Sequence, residues 1–417
     1  MVRILRTRDR AELAALFRRR TQRMEKAQAV VGPILEAVRK RGDRALVEYS
    51  RKFDGLKART VAVEPGALTQ AAAGLSDEFR RAVELASGHI WEYCHMQMPR
   101  SWRKRVRPGI SLGQIVRPLE SVAAYIPGGR YPLPSTLMMT VIPAQVARVK
   151  TIAVASPGRH LVVLGTAGLL GVRQFFHMGG AQAIAAFAFG TDTVPRAQRL
   201  VGPGNIYVAA AKKLLAGEVG IDFIAGPTEI LIVAAATGNP GWLAADMLAQ
   251  AEHDRDATAI LLTPSLRLAR QVAQELERQL ATLPTRAVAG KSIQGNGAIV
   301  VTRTLDEAVE IANRFAPEHL VVPDASYVDQ VTDAGSVFVG PWSPEAAGDY
   351  ASGPNHVLPT SGGAALRGGL SILDYVKIIS VQELNRQGLR HMAPAITTLA
   401  RAEGLEAHAR SIEVRLS

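Results

Sequence analysis

One cysteine in 417 residues, Cys94, excludes an internal disulfide framework and any thiolate metal cluster. A transition-metal site would have to draw on histidine, carboxylate or amide ligands, and the lone thiol reads as a packed side chain. Long apolar runs are missing as well. No stretch of roughly 18 uncharged apolar residues occurs, and the opening MVRILRTRDRAELAALF carries charge throughout. Neither a spanning helix nor a signal peptide is expected, so no membrane is called for and the cytoplasm is the expected compartment. Aromatic residues make up only 5% of the chain, the lysines and arginines are dispersed, and no nucleic-acid-binding signature is present. The net charge of +12 is therefore read as suiting solubility and anionic cofactors, not nucleic acid. Also absent is the dinucleotide fingerprint G-x-G-x-x-G; the nearest match, Gly165, Gly168 and Gly171, has the wrong spacing.

What is present is an ordinary globular composition, 47% hydrophobic and 21% charged, long enough for two or more domains. The N-terminal third reads as helical, with Val31, Ile34, Leu35, Val38, Leu46 and Tyr49 at helix-like spacings. From about residue 120 short apolar runs alternate with turns and alanine-rich stretches, an α/β rhythm. Expected strands are SVAAYI, TIAVAS, QRLV and IDFIA, followed by ILIVAAA, TAILLT, GAIVVT, HLVV and GSVFVG. Glycines gather in separate turns, Pro127-Gly128-Gly129, Pro157-Gly158, Gly202-Pro203-Gly204 and Gly226-Pro227, which suits a cleft lined by backbone amides at strand ends. The economical fold is two open Rossmann-like α/β domains without the usual fingerprint. The expected division is a helical arm over 1–22, one α/β domain over 23–120 and 232–370, another over 121–231, and a helical tail over 371–417.

Several residues could carry chemistry. Asn239-Pro240 is a cap and first helical position, and the helix it starts runs through Gln250 and His253, three apart and on one face. An amide oxygen and an imidazole at that spacing can reach one ion, although a lone Q-x-x-H is an ordinary surface pattern. Thr304 to Glu307 is a capping box opening a helix through Phe315, and Pro317 ends it. Glu318 and His319 then fall at an abrupt turn, where they are either two proton-transfer groups or a solvated polar pair. Asp349 and His356 flank the turn-rich loop Ser352-Gly353-Pro354-Asn355. Glu403 and His408, five apart near the C-terminus, look like helix-surface residues, and His89, His95, His160, His177 and His391 receive no role.

The segments YIPGG, GGAQAIAA, VGPGNIYVAAAKK, GIDFIAGPTE, LAQAEHD, APEHL and GDYASGPNHVLPT, in that order along essentially the whole chain, resemble the histidinol dehydrogenase family. That resemblance implies a zinc- and NAD-dependent two-step oxidation of L-histidinol through L-histidinal to L-histidine, the last step of histidine biosynthesis. It implies one zinc per subunit held by Gln250, His253, Asp349 and His408, and acid–base work by Glu318 and His319. Substrate contacts fall to Thr228, His356 and Glu403 together with the zinc ligands and His319, and NAD contacts to Tyr125, Gln182 and Asn205. It further implies a homodimer whose tails complete each other's sites. Thr228 stands where the family often has serine, which keeps the hydroxyl, and the stretch from Pro157 to Gly168 looks short for the family. The rival readings are a sister enzyme oxidising a sulfonated diol and a catalytically silent binding protein on the same fold.

Overall fold

A computed structural model describes residues 2–18, 24–128 and 131–417. Residues 19–22 of the expected arm and Gly129 of the first glycine turn lie outside the described residues. Two six-stranded sheets organise the chain. The first runs Ala62–Val63, Gln174–His177, Thr151–Ser156, Ser121–Tyr125, Arg199–Val201, Gly220–Ile221, parallel except at its first pair. The second runs Arg3–Arg6, Ala298–Val301, Thr258–Thr263, Glu229–Val233, His319–Val322, Ser336–Val339, parallel throughout. In each, the chain winds outward from one central strand, then returns to that strand's other side. That reversal leaves a crevice between Ser121–Tyr125 and Arg199–Val201 in one sheet and between Glu229–Val233 and His319–Val322 in the other.

Both faces of each sheet are covered, as buried parallel strands require. Ile230 and Ile232 pack into one core with Met247, Leu248 and Leu261, while Leu231 and Val233 pack into the opposite one with Val300, Phe315 and Leu320. Val122 and Ala124 likewise face away from Ala123 and Tyr125. The strands could be read as apolar runs because neither face meets water.

Three expectations are corrected. Arg3–Arg6 is a strand, paired in parallel with Ala298–Val301, and only Arg10–Arg18 of the described arm is helical. Val376–Leu384, expected as helix, is a strand paired antiparallel with Ile110–Pro118, which in turn pairs with Trp102–Arg107. Its β-branched content, Val376, Ile378, Ile379 and Val381, favours the pleated form. Helices Arg386–Ala402 and Glu406–Glu413 follow it. Third, residues 24–97 pack mainly over the first sheet, although His89 reaches the Ala351 carbonyl and Val357 and Leu370 join the core of the stripe running from 83 to 94. The stripe Ala27, Val31, Leu35, Val38 shares a core with Ala183, Ala186 and Phe187, and Val83, Ala86, Ile90 and Cys94 share one with Val122 and Leu137, all over the first sheet. An amphipathic stripe fits either sheet, so spacing alone could not assign it.

At the first sheet's crevice a buried ion pair fixes the glycine turn. Lys212 Nζ donates to Asp222 Oδ1 and to the Gly202 carbonyl, each at 2.6 Å, and Asp222 Oδ2 accepts from Gly202 N at 2.8 Å. Gly202 is required there: its φ is +107°, and a Cβ would collide with the Tyr125 carbonyl. The pair's side chains are 3% and 0% exposed, so removing one partner strands a charge in the interior. Lys212→Met should lower unfolding free energy by about 3–5 kcal/mol, and adding Asp222→Leu should restore much of it. Urea denaturation of the single and double variants checks this, and a loss under about 1 kcal/mol for the single variant would contradict it.

Candidate active site

Strand ends decide where the chemistry sits. The last strand of the first sheet, Gly220–Ile221, finishes at that sheet's carboxyl edge, and 222–228 leads directly into the amino end of Glu229–Val233. The carboxyl edge of one sheet is thereby joined to the amino edge of the other. Helix Pro240–Ala251 follows Glu229–Val233 and runs back along the sheet, which returns Gln250 to the amino edge. Asn239 caps that helix, accepting from Gly241 N and Trp242 N, with Pro240 at its first turn, as expected. The helix ends at Ala251, so His253 lies just past it: Gln250 is fully buried and His253 exposed.

Thr304 Oγ1 accepts from Glu307 N at 3.0 Å and opens helix Leu305–Phe315, which closes on Ala316 at φ +49° before Pro317. Glu318 and His319 are then not a solvated turn. His319 is the first residue of the strand His319–Val322, and both side chains are buried. Pairing in parallel, with His319 opposite Ile230, sets the Glu229 peptide beside them. The Glu229 carbonyl lies 3.1 Å from His319 Nδ1, and Glu229 N donates to Glu318 Oε2 at 2.8 Å. Thr228 Oγ1 donates to the same oxygen at 2.5 Å and lies 2.5 Å from the Gln250 amide. A carbonyl only accepts, so His319 carries its proton on Nδ1 and leaves Nε2 as a lone pair. That Nε2 is buried and has no hydrogen-bond partner; Asp349 Oδ1 lies 3.8 Å away.

Asp349 belongs to a short helix, Glu345–Tyr350, rather than to a loop. Its Oδ2 lies 3.6 Å from His253 Nε2. His356 Nδ1 meets the Asp349 carbonyl at 2.6 Å and its Nε2 meets Thr136 Oγ1 at 3.3 Å, which ties this loop to helix Pro134–Val146 over the first sheet. Ligating atoms of His253, Glu345 and Asp349 all lie within 4.8 Å of one another.

Burial dominates the electrostatics. It pushes the Glu318 carboxyl well above the usual carboxylate range, against the bonds from Thr228 and Glu229 N, and does the same to Glu345. It lowers His319 to about 4, so the imidazole is neutral near pH 7. Burial would also raise Asp349, but the hydrogen bond from His253 and the surrounding imidazoles hold it below its ordinary value. His253 is raised in turn, chiefly by that bond.

The expected cofactor residues sit together at the other edge of the seam, around the first sheet's crevice. Tyr125 ends the central strand and its hydroxyl accepts from Gly180 N at 3.1 Å. Gln182 donates to Asp54 Oδ2 at 3.0 Å, beside Gly179 N at 2.9 Å on the same oxygen. Asn205 caps helix Ile206–Leu215 through Tyr207 N and Val208 N. The Tyr125 and Gln182 side chains are buried, and Asn205 follows the strand on the other side of the crevice.

Thr228, Gln250, His253, Glu318, His319, Asp349 and His356 thus converge, whereas Glu403 and His408 do not. His408 lies exposed on the last helix and Glu403 exposed in the turn after Arg386–Ala402, away from this cluster. Sequence reasoning missed Glu229, whose backbone holds both members of the acid–base pair, and Glu345. The four-residue spacing of Glu345 and Asp349 was the available signal for the latter. It also gave no role to His89, which fastens the Ala351 carbonyl at 2.7 Å, or to His177, which meets the Pro157 carbonyl at 2.9 Å.

Two doubly wound sheets, with a buried carboxylate–imidazole pair at the amino edge of the second, define an α/β protein of the open-sheet class. The histidinol dehydrogenase family model matches residues 17–416. Histidinol dehydrogenase of Geobacter sulfurreducens is 44% identical, covering 97% of each chain, and that of Geobacillus kaustophilus 46% identical, covering 94% of each. The crystal structure of histidinol dehydrogenase from Elizabethkingia anophelis superposes with a TM-score of 0.95 at 36% identity, over 100% of this chain and 98% of that one. The chain belongs to the histidinol dehydrogenase family, and is an oxidoreductase.

Proposed function

We propose that the protein oxidises L-histidinol through L-histidinal to L-histidine in the cytoplasm, with NAD as hydride acceptor and zinc at the Gln250, His253, Asp349 cluster. The observation that carries the reading is the neutral, unpartnered His319 Nε2 next to Glu318, within a family of this activity. The donors fit zinc: the His253 imidazole and the Asp349 and Glu345 carboxyls cluster within 4.8 Å and the Gln250 amide faces Glu345, all nitrogen or oxygen, with the only thiol, Cys94, buried in another core. Bound zinc supplies a cationic template for the amine and imidazole nitrogens of the substrate, and NAD supplies the two-electron acceptor of each oxidation.

The rest falls to the chain's own residues. His319 takes the hydroxyl proton on Nε2 in the first oxidation, since Nδ1 is committed to the Glu229 carbonyl. Glu318, with its carboxyl raised by burial, takes a proton from the water that adds to the retained aldehyde. Once His319 has released that first proton to solvent, its Nε2 accepts the hydroxyl proton of the hydrate in the second oxidation. Thr228 holds Glu318 in place, and Tyr125, Gln182 and Asn205 form the crevice for the nicotinamide cofactor.

We assign a further zinc ligand to His408 of a second copy, with Glu403 beside it on the substrate. Support comes from the tail. His408 and Glu403 are exposed, the two tail helices pack on each other, and the arm that carries them presents Trp102, Val106, Leu112, Ile378, Ile379 and Leu399 to solvent.

Purified protein with NAD should form NADH from histidinol and histidinal but not from sulfonated diols; the reverse preference would overturn the substrate assignment. Glu318→Gln should cost on the order of 10² to 10⁴ in histidinal oxidation and less in histidinol oxidation, because only the second half-reaction activates water. Equal losses would remove Glu318 from that role. Co-expression of a His408→Asn chain with a Gln250→Ala/His253→Ala chain should yield mixed dimers with one intact site from two inactive parents. Inactive mixed dimers, with both variants folded and dimeric, would place all the ligands on a single chain.

A further inference from the structure

The strand Glu229–Val233 is entered through a turn, Gly226-Pro227-Thr228, whose last hydroxyl donates to Glu318 Oε2 and lies 2.5 Å from the Gln250 amide. The exit of that turn is set by the sheet, because the Thr228 carbonyl accepts from Thr258 N at 3.0 Å. Its entry is set by a distant segment, Thr360-Ser361. Gly226 N donates to Thr360 Oγ1 at 2.5 Å, and Ser361 N returns the contact by donating to Glu229 Oε1 at 3.2 Å. The two bonds bracket Thr228 on either side. The approach is close: a Cβ at Gly226 would lie 2.6 Å from Ser361 Oγ. Ser361 itself sits at φ +57°, a left-handed conformation that persists at a serine only where the surroundings hold it.

The segment that presents Thr360 is held in turn. Val357, Leu358 and Thr360 are buried, Val357 joins a core over the first sheet, and Asn355 donates to the Met139 carbonyl at 2.7 Å. A buried hydroxyl with a fixed backbone on both sides can set the place of the N–H it accepts. We propose that Thr360 is a positioning residue of the acid–base site: its hydroxyl fixes the Gly226 end of the turn, and so the Thr228 hydroxyl against the Glu318 carboxyl. The Glu229 carboxyl closes the same clasp from the strand side through Ser361 N. Thr360 acts through Thr228 and transfers no proton. This inference rests on the reading of Glu318 as the group that activates water.

The test is steady-state oxidation of histidinol and of histidinal by the purified full-length protein, across a double-variant cycle. Thr360→Val keeps the side chain's shape and removes the acceptor. It should lower kcat for histidinal oxidation by about 10- to 100-fold, the scale of a misplaced reacting group, with a smaller loss for histidinol and KM little changed. Thr360→Ser keeps the hydroxyl and should recover most of the rate. In a Thr228→Val background, where Glu318 has already lost its hydroxyl donor, Thr360→Val should cost less than about 2-fold. Equal losses in both backgrounds would overturn the proposal and make Thr360 general scaffold. So would no loss in the native background, or a Thr360→Ser variant as slow as Thr360→Val. If Thr360→Val does not fold, Thr360→Ala, which leaves room for a water at the Gly226 N–H, carries the cycle with the same expected order. Unmutated protein that forms no NADH from histidinal would overturn the functional reading itself, a result distinct from a flat cycle in active protein.

Discussion

The site depends on the parallel pairing of Glu229–Val233 with His319–Val322. One residue, Glu229, offers its carbonyl to His319 and its N–H to Glu318, so the tautomer of the imidazole and the position of the carboxyl are both set by backbone. Hydrophobic burial sets the register. Leu320 and Val322 share a core with Leu231 and Val233, and Val321 shares the opposite one with Ile230 and Ile232. A slip of one residue would exchange the two faces and take His319 away from the Glu229 carbonyl. The geometry of the Glu318–His319 pair is therefore held by the same forces that fold the sheet.

Ligand crevices in open α/β sheets lie outside the carboxyl ends of strands. The first sheet follows that rule, with Tyr125 and Gly202 at its reversal point, and the buried Lys212–Asp222 pair fixes the turn there. The second sheet puts its reactive groups at the amino end. The short connection 222–228 and the fastening of Gly226 N to Thr360 Oγ1 at 2.5 Å bring the two edges together. Single hydrogen bonds, that one and Thr136 Oγ1 with His356 Nε2, tie segments of the two halves together.

Much of this was legible in the sequence, for physical reasons that also explain the failures. Strands such as Thr258–Thr263 and His319–Val322 stand out because both faces are buried, and the Asn239 and Thr304 caps announce their helices. Resemblance to a family singled out Gln250, Asp349, Glu318 and His319, whose spacings alone were unremarkable and which the fold brings together. The strands Arg3–Arg6 and Val376–Leu384 escaped because each pairs with a segment about 295 and 270 residues distant, and non-local pairing overrides local propensity. Glu229 escaped because it contributes through its backbone, and side-chain chemistry is what a sequence displays. Gln250 and Glu345 meet only through tertiary packing, so nothing in the spacing between them could announce the contact.

The measurement that bears most directly on this account is the 15N NMR titration of His319 in the metal-free protein. The Glu229 carbonyl requires the tautomer with its proton on Nδ1 and a bare Nε2, and burial requires that the ring stay neutral down to about pH 4. Because the folded value lies below the ordinary 6.5, the unfolded chain takes up this proton first as the pH falls. The stability that this group contributes is thus present above about pH 6.5 and is lost progressively between 6.5 and about 4. An Nδ1-protonated ring with a midpoint near 4 is the predicted result; a proton found on Nε2, or a midpoint near 6.5, would contradict it.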